Sequence, residues 1–322
     1  MIDARRPRPN ATPDLLSRTT AHRMPSFFSS ALRFPSVAAR HADLVRAFVR
    51  RDLAARYEGS LLGKLWPLLH PALLLAVYGL VFSKLLGVTL RSDAEAARPG
   101  AIGDGWVATL FMASGILPWI CTVDALNRCT PVVVENNNLI KKVAFPSELL
   151  PTYTTLVSFF QMLIGLALLV PLYACVMLFA SGDTPPSENV HWLKHLLWLP
   201  LPIVLQWFFV TGLGMLLAAV NVFVRDVGQV IPLATLVWMF FTPIFYKLEG
   251  LARKTEEEWV AAAIQWNPLY HLMALYRGCF PYEVDPEFPL RSAAIFAAIA
   301  LGTFLVGHGC FHRWKGHFAD EV

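Results

Sequence analysis

The chain has 322 residues, 56% of them hydrophobic and 16% charged, and its mean hydropathy is +0.50. So little charge does not cover a soluble globule of this size, which leaves an integral membrane protein. The net charge of +4 is modest and its basic residues gather near the ends of apolar runs, not along a stripe, so nucleic acid is not an expected partner. Cys121, Cys129, Cys175, Cys279 and Cys310 show neither CxxC spacing nor a framework pattern and suit small buried hydrophobes.

Residues 1–40 are rich in Arg, Pro, Ser and Thr without a sustained apolar period, and a disordered cytoplasmic tail is expected there. Phe27-Phe28 and Ala31-Leu32 fall short of the apolar core of a signal peptide. Over 41–57 Leu44, Val45, Phe48, Val49 and Leu53 recur at helical spacing, with Arg46, Arg50, Arg51 and Arg56 on the remainder, which predicts an amphipathic helix on the inner leaflet.

A first span is expected within 56–87, its start bent by Pro67 and Pro71. Inside it Gly59–Lys64 superficially resembles a phosphate loop, but the spacing is one residue short and Leu65 stands where Ser or Thr is required, so nucleotide binding is not expected. A second span is expected over about 106–126, a third over 149–179 with Pro171 inside, a fourth over 196–222, a fifth over 230–246 and a sixth over 290–311. Between the fifth and sixth, residues 247–289 are too polar to span but carry two apolar stretches, which suit short helices dipping into the outer interface.

Between the second and third spans lies a compact polar island, ENNNLIKKVAFPSELLP over 135–151. Asn136 to Asn138 suit a helix start, residues 139–145 give barely two turns, and Pro146 stops them. A passive turn needs only a few residues and no apolar Leu139-Ile140 tip, so a docking element is expected here. Arg46, Arg50, Arg51, Arg56, Lys64, Arg128, Lys141, Lys142, Arg225, Arg313 and Lys315 fall on one side of six spans, which puts both termini and the island in the cytoplasm. The division expected is therefore a tail over 1–40, an interface helix over 41–57 and a six-span permease domain over 58–322.

The runs RYEGSLLGKLW, SGILPWI, ENNNLIKKVAFPSELLP, NVFVRDVGQVIPL, TPIFY, NPLYHLMALYRG and FADEV, in that order, resemble the membrane permease of type-2 ATP-binding-cassette exporters of bacterial capsular polysaccharide, O-antigen and teichoic acid. The resemblance covers about 46–322, with Asn137 standing where a small residue is more usual. It implies an all-α membrane protein of six transmembrane helices, an N-terminal interface helix, a short cytoplasmic coupling helix and re-entrant outer gate helices over 259–280. It further implies a homodimer in the bacterial inner membrane that exports a lipid-linked glycan. A separate ATPase dimer carries ATP and Mg, and this chain needs no cofactor.

By that resemblance Glu135, Asn138, Leu139, Ile140, Lys141 and Lys142 are the ATPase-coupling candidates. Arg51, Arg56 and Tyr57 on the interface helix, with Arg225 and Asp226 in the tight inner turn NVFVRDVGQ, are interface and gate candidates. Sugar rings slide on aromatic faces, and Trp66, Tyr78, Trp119, Phe245 and Tyr246 are the candidate channel aromatics. The competing class is a polytopic membrane transferase acting on a lipid-linked glycan, which needs acidic or His groups converging near a membrane face. Asp124, Glu135, the pair His191 and His195, and the pair His308 and His312 are the groups available. A secondary transporter would carry intramembrane charges, and Lys84 and Lys194 sit only near span ends.

Overall fold

An apolar run of twenty residues or more must satisfy its backbone within itself when water is scarce, and only the helix does so in a single segment. The computed structural model describes residues 34–37, 39–81, 104–142, 146–179, 191–248, 258–281 and 287–321, and every regular element among the described residues is helical. In chain order these are α1 (Ala42–Tyr57), α2 (Trp66–Tyr78), α3 (Asp104–Cys129), α4 (Val132–Glu135), α5 (Asn137–Lys142), α6 (Leu149–Phe179) and α7 (His191–Leu196). There follow α8 (Pro200–Phe223), α9 (Val227–Phe241), α10 (Glu258–Trp266), α11 (Pro268–Cys279), α12 (Leu290–Trp314) and α13 (Phe318–Glu321).

Among the described residues four stretches are long and apolar enough to cross a membrane: Gly105–Cys129, Leu149–Leu178, Leu193–Phe223 and Leu290–Glu321. They carry α3, α6, α8 and α12. The run expected as the first span is described as an apolar helix over Trp66–Val81, and residues 82–87 lie outside the described residues; the fifth is the shorter Val227–Phe241. At 1.5 Å per residue, the 15 residues of α9 cover about 22 Å, less than the ~30 Å of a hydrocarbon core. The fifth run was expected to reach Tyr246, but its helix stops at Phe241 because Pro243 forces the preceding Thr242 into extended backbone (φ −99°, ψ 126°).

Of the expected tail, residues 34–37 and 39–40 are described and helical, and the rest lies outside the described residues. Phe34 is buried, its ring edge-on to Phe304 at 5.5 Å and to His308 at 5.4 Å. The apolar stripe of α1 also turns inward. Val45 and Phe48 are buried and α1 packs along α6, while Arg46, Arg50 and Arg51 stay exposed. Periodicity marks which face is covered but not what covers it, and here the buried part of the stripe rests on protein. After α1 the chain turns at Gly59 (φ +76°) and Gly63 (φ +47°), left-handed conformations that a Cβ disfavours. The glycines of the GSLLGK run thus serve a turn, which Ser60 ties with bonds to the Tyr57 carbonyl and from the Gly63 amide.

Two apolar clusters fill the interior. The larger is built from α3, α6, α8, α11 and α12, with Phe111, Tyr173, Tyr276, Phe280 and Phe296 among its buried members. The second gathers Phe34, Phe48, Val132, Leu149, Tyr153, Met215, Phe311 and Phe318, and it underlies the polar island. α8 and α12 pack backbone against backbone where Gly212 meets Gly307.

Candidate functional site

The island hangs between α3 and α6. After Pro131 the chain makes the single turn of α4, which Asn136 closes: its Nδ2 donates to the Val132 carbonyl at 2.8 Å, and its amide to the same oxygen at 3.2 Å. Asn136 therefore ends α4 with its side chain, and only its carbonyl, accepting from the Leu139 amide at 3.0 Å, opens α5. α5 itself is six residues long, and residues 143–145, the second half of the expected helix, lie outside the described residues. Glu135, Asn138 and Lys141 are exposed, while Leu139 and Ile140 are half-buried against the second cluster. Lys142 closes α5.

Beyond Pro146, Glu148 is buried in the turn that opens α6. Its Oε1 accepts from Lys315 Nζ at 2.7 Å and from His312 Nδ1 at 2.9 Å. Burial pushes this carboxyl up, but the hydrogen bonds and charges of Lys315 and His312 outweigh it and hold Glu148 below the usual carboxylate range.

A second polar seam binds α1 to the C-terminal turns of α3 and the N-terminal half of α6. Arg128 pairs with Asp52, and Arg56 Nη2 reaches Asp124 Oδ2 at 3.0 Å. Asp124 also accepts from Ser158 at 2.6 Å, Arg56 donates to Gln161, and Gln161 donates to the Tyr57 hydroxyl at 2.6 Å. Of the interface candidates, Arg56 and Tyr57 are thus brought together, whereas Arg51 lies over the Phe48 ring at 4.7 Å, and that ring stacks on Tyr153. The seam walls a cavity of ≈ 490 Å3 that Trp66, His70, Cys121 and Met162 also line. Arg225 and Asp226 are exposed in the turn between α8 and α9, and no ion pair joins them among the described residues. Buried Asn221 holds that turn, its Oδ1 accepting from the Gly228 amide at 3.0 Å.

At the opposite end, the backbone broken after α9 is satisfied from α11. Asn267 Nδ2 donates to the Phe241 carbonyl at 3.1 Å and to Thr242 Oγ1 at 3.0 Å. Its Oδ1 accepts from Trp238 Nε1 and from the Leu269 amide, so the same side chain caps α11. Arg277 donates to the carbonyls of Pro243 and Ile244 and lies 3.6 Å over the Phe111 ring. Buried Gln206 donates to the Pro118 carbonyl and Thr122, and accepts from Tyr276 at 2.6 Å. Non-helical backbone at membrane depth persists only when enclosed in this way. Among the aromatic candidates, Tyr78 lies 5.8 Å from Phe245, Tyr246 is half-buried with its hydroxyl on the Phe240 carbonyl, and Trp66 lines the inner cavity. Trp119 is only 5% exposed and edge-on to Trp238, so in the single chain it is a core residue with no face for a sugar.

The groups a transferase would use are mostly engaged elsewhere: His312, stacked 6.0 Å from His308, donates to the Glu148 carboxylate that Lys315 also holds. Asp124 is engaged by Arg56 and Ser158, His195 donates to the Gly278 carbonyl, and His308 is buried against Phe34 and Phe304. Residues 43–280, well over half of the chain, match the ABC-2 type transporter family. The chain belongs to that family. It is similar to the O-antigen export system permease protein RfbA of Myxococcus xanthus, 27% identical over 284 residues that cover 88% of this chain and 96% of the relative. Two proteins of the same description from Klebsiella pneumoniae are 25% and 23% identical over 278 residues, each match covering 86% of this chain and 94% of the relative. This ABC-2 permease is accordingly a multi-pass membrane protein of the exporter class that its sequence runs resemble.

Sequence reasoning placed the permease's helices but missed the residues that join them: Asp52, Arg128, Glu148, Gln161, Gln206, Asn267 and Arg277. A usable signal did exist. A polar side chain inside an apolar helix needs a partner, and Pro243 leaves carbonyls that need donors.

Proposed function

We propose that this permease is the membrane-spanning subunit of an ATP-driven exporter that carries a lipid-linked O-antigen, or a related glycan such as capsule, across the bacterial inner membrane. The observation that carries the reading is the similarity to O-antigen export permeases along 86–88% of the chain, running through the island as well as the spans. ATP and Mg then belong to a separate ATPase dimer docked below α5, and this subunit has no catalytic step of its own. Glu135, Asn138, Leu139, Ile140, Lys141 and Lys142 form the coupling surface.

The same reading makes the working unit a homodimer. α9 is shorter than a full span, and α2 and α9 expose Leu73, Val77, Leu233, Val237 and Phe240, an apolar surface suited to lipid and a second copy. It keeps six spans, with both termini cytoplasmic, and makes α10 and α11 the re-entrant outer gate. Arg51, Arg56, Tyr57, Arg225 and Asp226 lie at the inner gate, and Trp66, Tyr78, Phe245 and Tyr246 offer faces to the glycan. The test is to delete the protein and identify what accumulates. A lipid-linked glycan retained inside the cell is expected; an unglycosylated acceptor would overturn export in favour of a transferase.

A further inference from the structure

We infer that the C-terminal end of the chain braces the coupling helix, with Glu148, Lys315 and Phe318 as positioning residues that carry its movement into α12; this rests on the coupling role proposed above for α5. In sequence α5 is tied only to α3, through α4, and to α6. In space it has a third neighbour, because α13 lies against α5. Phe318 anchors α13: it is fully buried, 5.1 Å from the Phe311 ring and 6.3 Å from Phe223 at the end of α8. Three residues before it, Lys315 joins His312 on Glu148, the carboxylate at the start of α6.

The brace thus grips both sides of the island. One contact rests on α5 itself and the other on the turn through which α5 continues into α6. A buried carboxylate held by the Lys315 ammonium and the His312 imidazole resists sliding, since any shift leaves it without its partners and away from water. From α12 the displacement has a stiff outlet, because Gly307 meets the backbone of α8 at Gly212 with no side chain between to absorb it. A push on α5 therefore reaches four long helices, two of them through the brace.

The test uses the full-length permease in lipid nanodiscs and its complex with the ATPase in proteoliposomes, with Glu148→Gln, Phe318→Ala and the exchanged pair Glu148→Lys/Lys315→Glu. In the permease alone, hydrogen exchange should quicken in residues 137–142 and 315–321 for the first two variants and recover in the exchanged pair. Unchanged exchange there overturns the brace whatever the protein's function. In the complex, the first two variants should keep their ATPase and its basal hydrolysis but export about five- to ten-fold less glycan per ATP, with recovery in the exchanged pair. Quickened exchange with export per ATP unchanged overturns the transmitting role. Failure of the unaltered chain to bind an ATPase would instead count against the proposed function and leave the exchange result standing.

Discussion

Gly307 of α12 faces Gly212 of α8 with no room for a side chain: a Cβ on Gly307 would stand 1.8 Å from the Gly212 carbonyl oxygen, and a Cβ on Gly212 would stand 2.4 Å from the Phe304 Cα. Both obstacles are backbone and cannot swing aside. Gly307→Ala should force the two helices apart and cost about 1–3 kcal/mol or more, read as a lower melting temperature in detergent. Gly302 on the same helix has nothing within 4 Å of its Cβ position, so Gly302→Ala should be neutral or stabilise by up to ~1 kcal/mol through helix propensity. Equal melting temperatures for the two variants would contradict the close contact.

The long helices were legible because twenty apolar residues admit few alternatives. Pro118 and Pro171 sit inside α3 and α6 without ending them, whereas α9 ends just before Pro243. At Pro118 the helix continues beside Gln206 and Thr122, which bond its carbonyl. At Pro243 the chain departs toward donors on α11. No period in the sequence encodes that TPIFY meets NPLYHLMALYRG, or that FADEV reaches the island. Such contacts are set by three-dimensional packing, and only unpaired polar residues hint at them.

Phe48 shows how burial changes an expectation about α1. A surface-bound helix would lose its hold on lipid if Phe48 became Asp; here the ring is 9% exposed and stacked 5.1 Å from Tyr153. Phe48→Asp should therefore remove roughly 1.5–3 kcal/mol of packing against α6 and bury a charge besides. Hydrogen exchange is expected to quicken across Ala42–Tyr57 with α3 and α8 unchanged. Arg46, exposed and among the described residues paired with exposed Asp43, is the control, and Arg46→Ala should leave the exchange of α1 as it was.

Glu148 gives the permease an acid sensitivity of defined sign. Its carboxyl ionises more readily in the fold than its ordinary value of 4.5, so the stabilisation it contributes is fully present above that value and is lost as pH falls through the lower folded one. Melting temperature should drop between pH 6 and pH 3 in the unaltered chain, and Glu148→Gln should flatten part of that slope. An identical slope in the variant would mean that the bonds from Lys315 and His312 contribute no net stability.

Asn267 should act as the pin between α9 and the α10–α11 pair. Its side chain makes two donations and two acceptances, capping α11 while covering the carbonyl and hydroxyl left by the break at Thr242. Asn267→Ala strands the Trp238 indole and the Phe241 carbonyl together and should cost about 1–3 kcal/mol. Asn267→Asp keeps the cap but loses both donations, so it should fall between the alanine variant and the unaltered chain. Proteolysis or exchange confined to residues 258–281 would report the loosened pair, and equal protection in all three proteins would sink the idea.

The tip of α5 gives the most direct test of coupling, and the structure changes its expected size. Leu139 and Ile140 rest partly on the second cluster, so only part of their surface remains for an ATPase cleft. Full burial of two such side chains would be worth roughly 3–6 kcal/mol before association costs, and the exposed remainder about half of that. Changing both to Asp also sets carboxylates against the cluster, so the pair should lower stability as well as docking. Lys141→Ala separates the two effects, because Lys141 is exposed and its loss touches only the outward face. The double Asp variant, expressed to matched abundance, should lose ATPase co-purification by ten-fold or more, since ~1.4 kcal/mol already gives that factor. Lys141→Ala should melt normally and weaken docking less. If the double variant still co-purifies at normal yield and supports export, α5 is a solvated connection and the ATPase docks elsewhere.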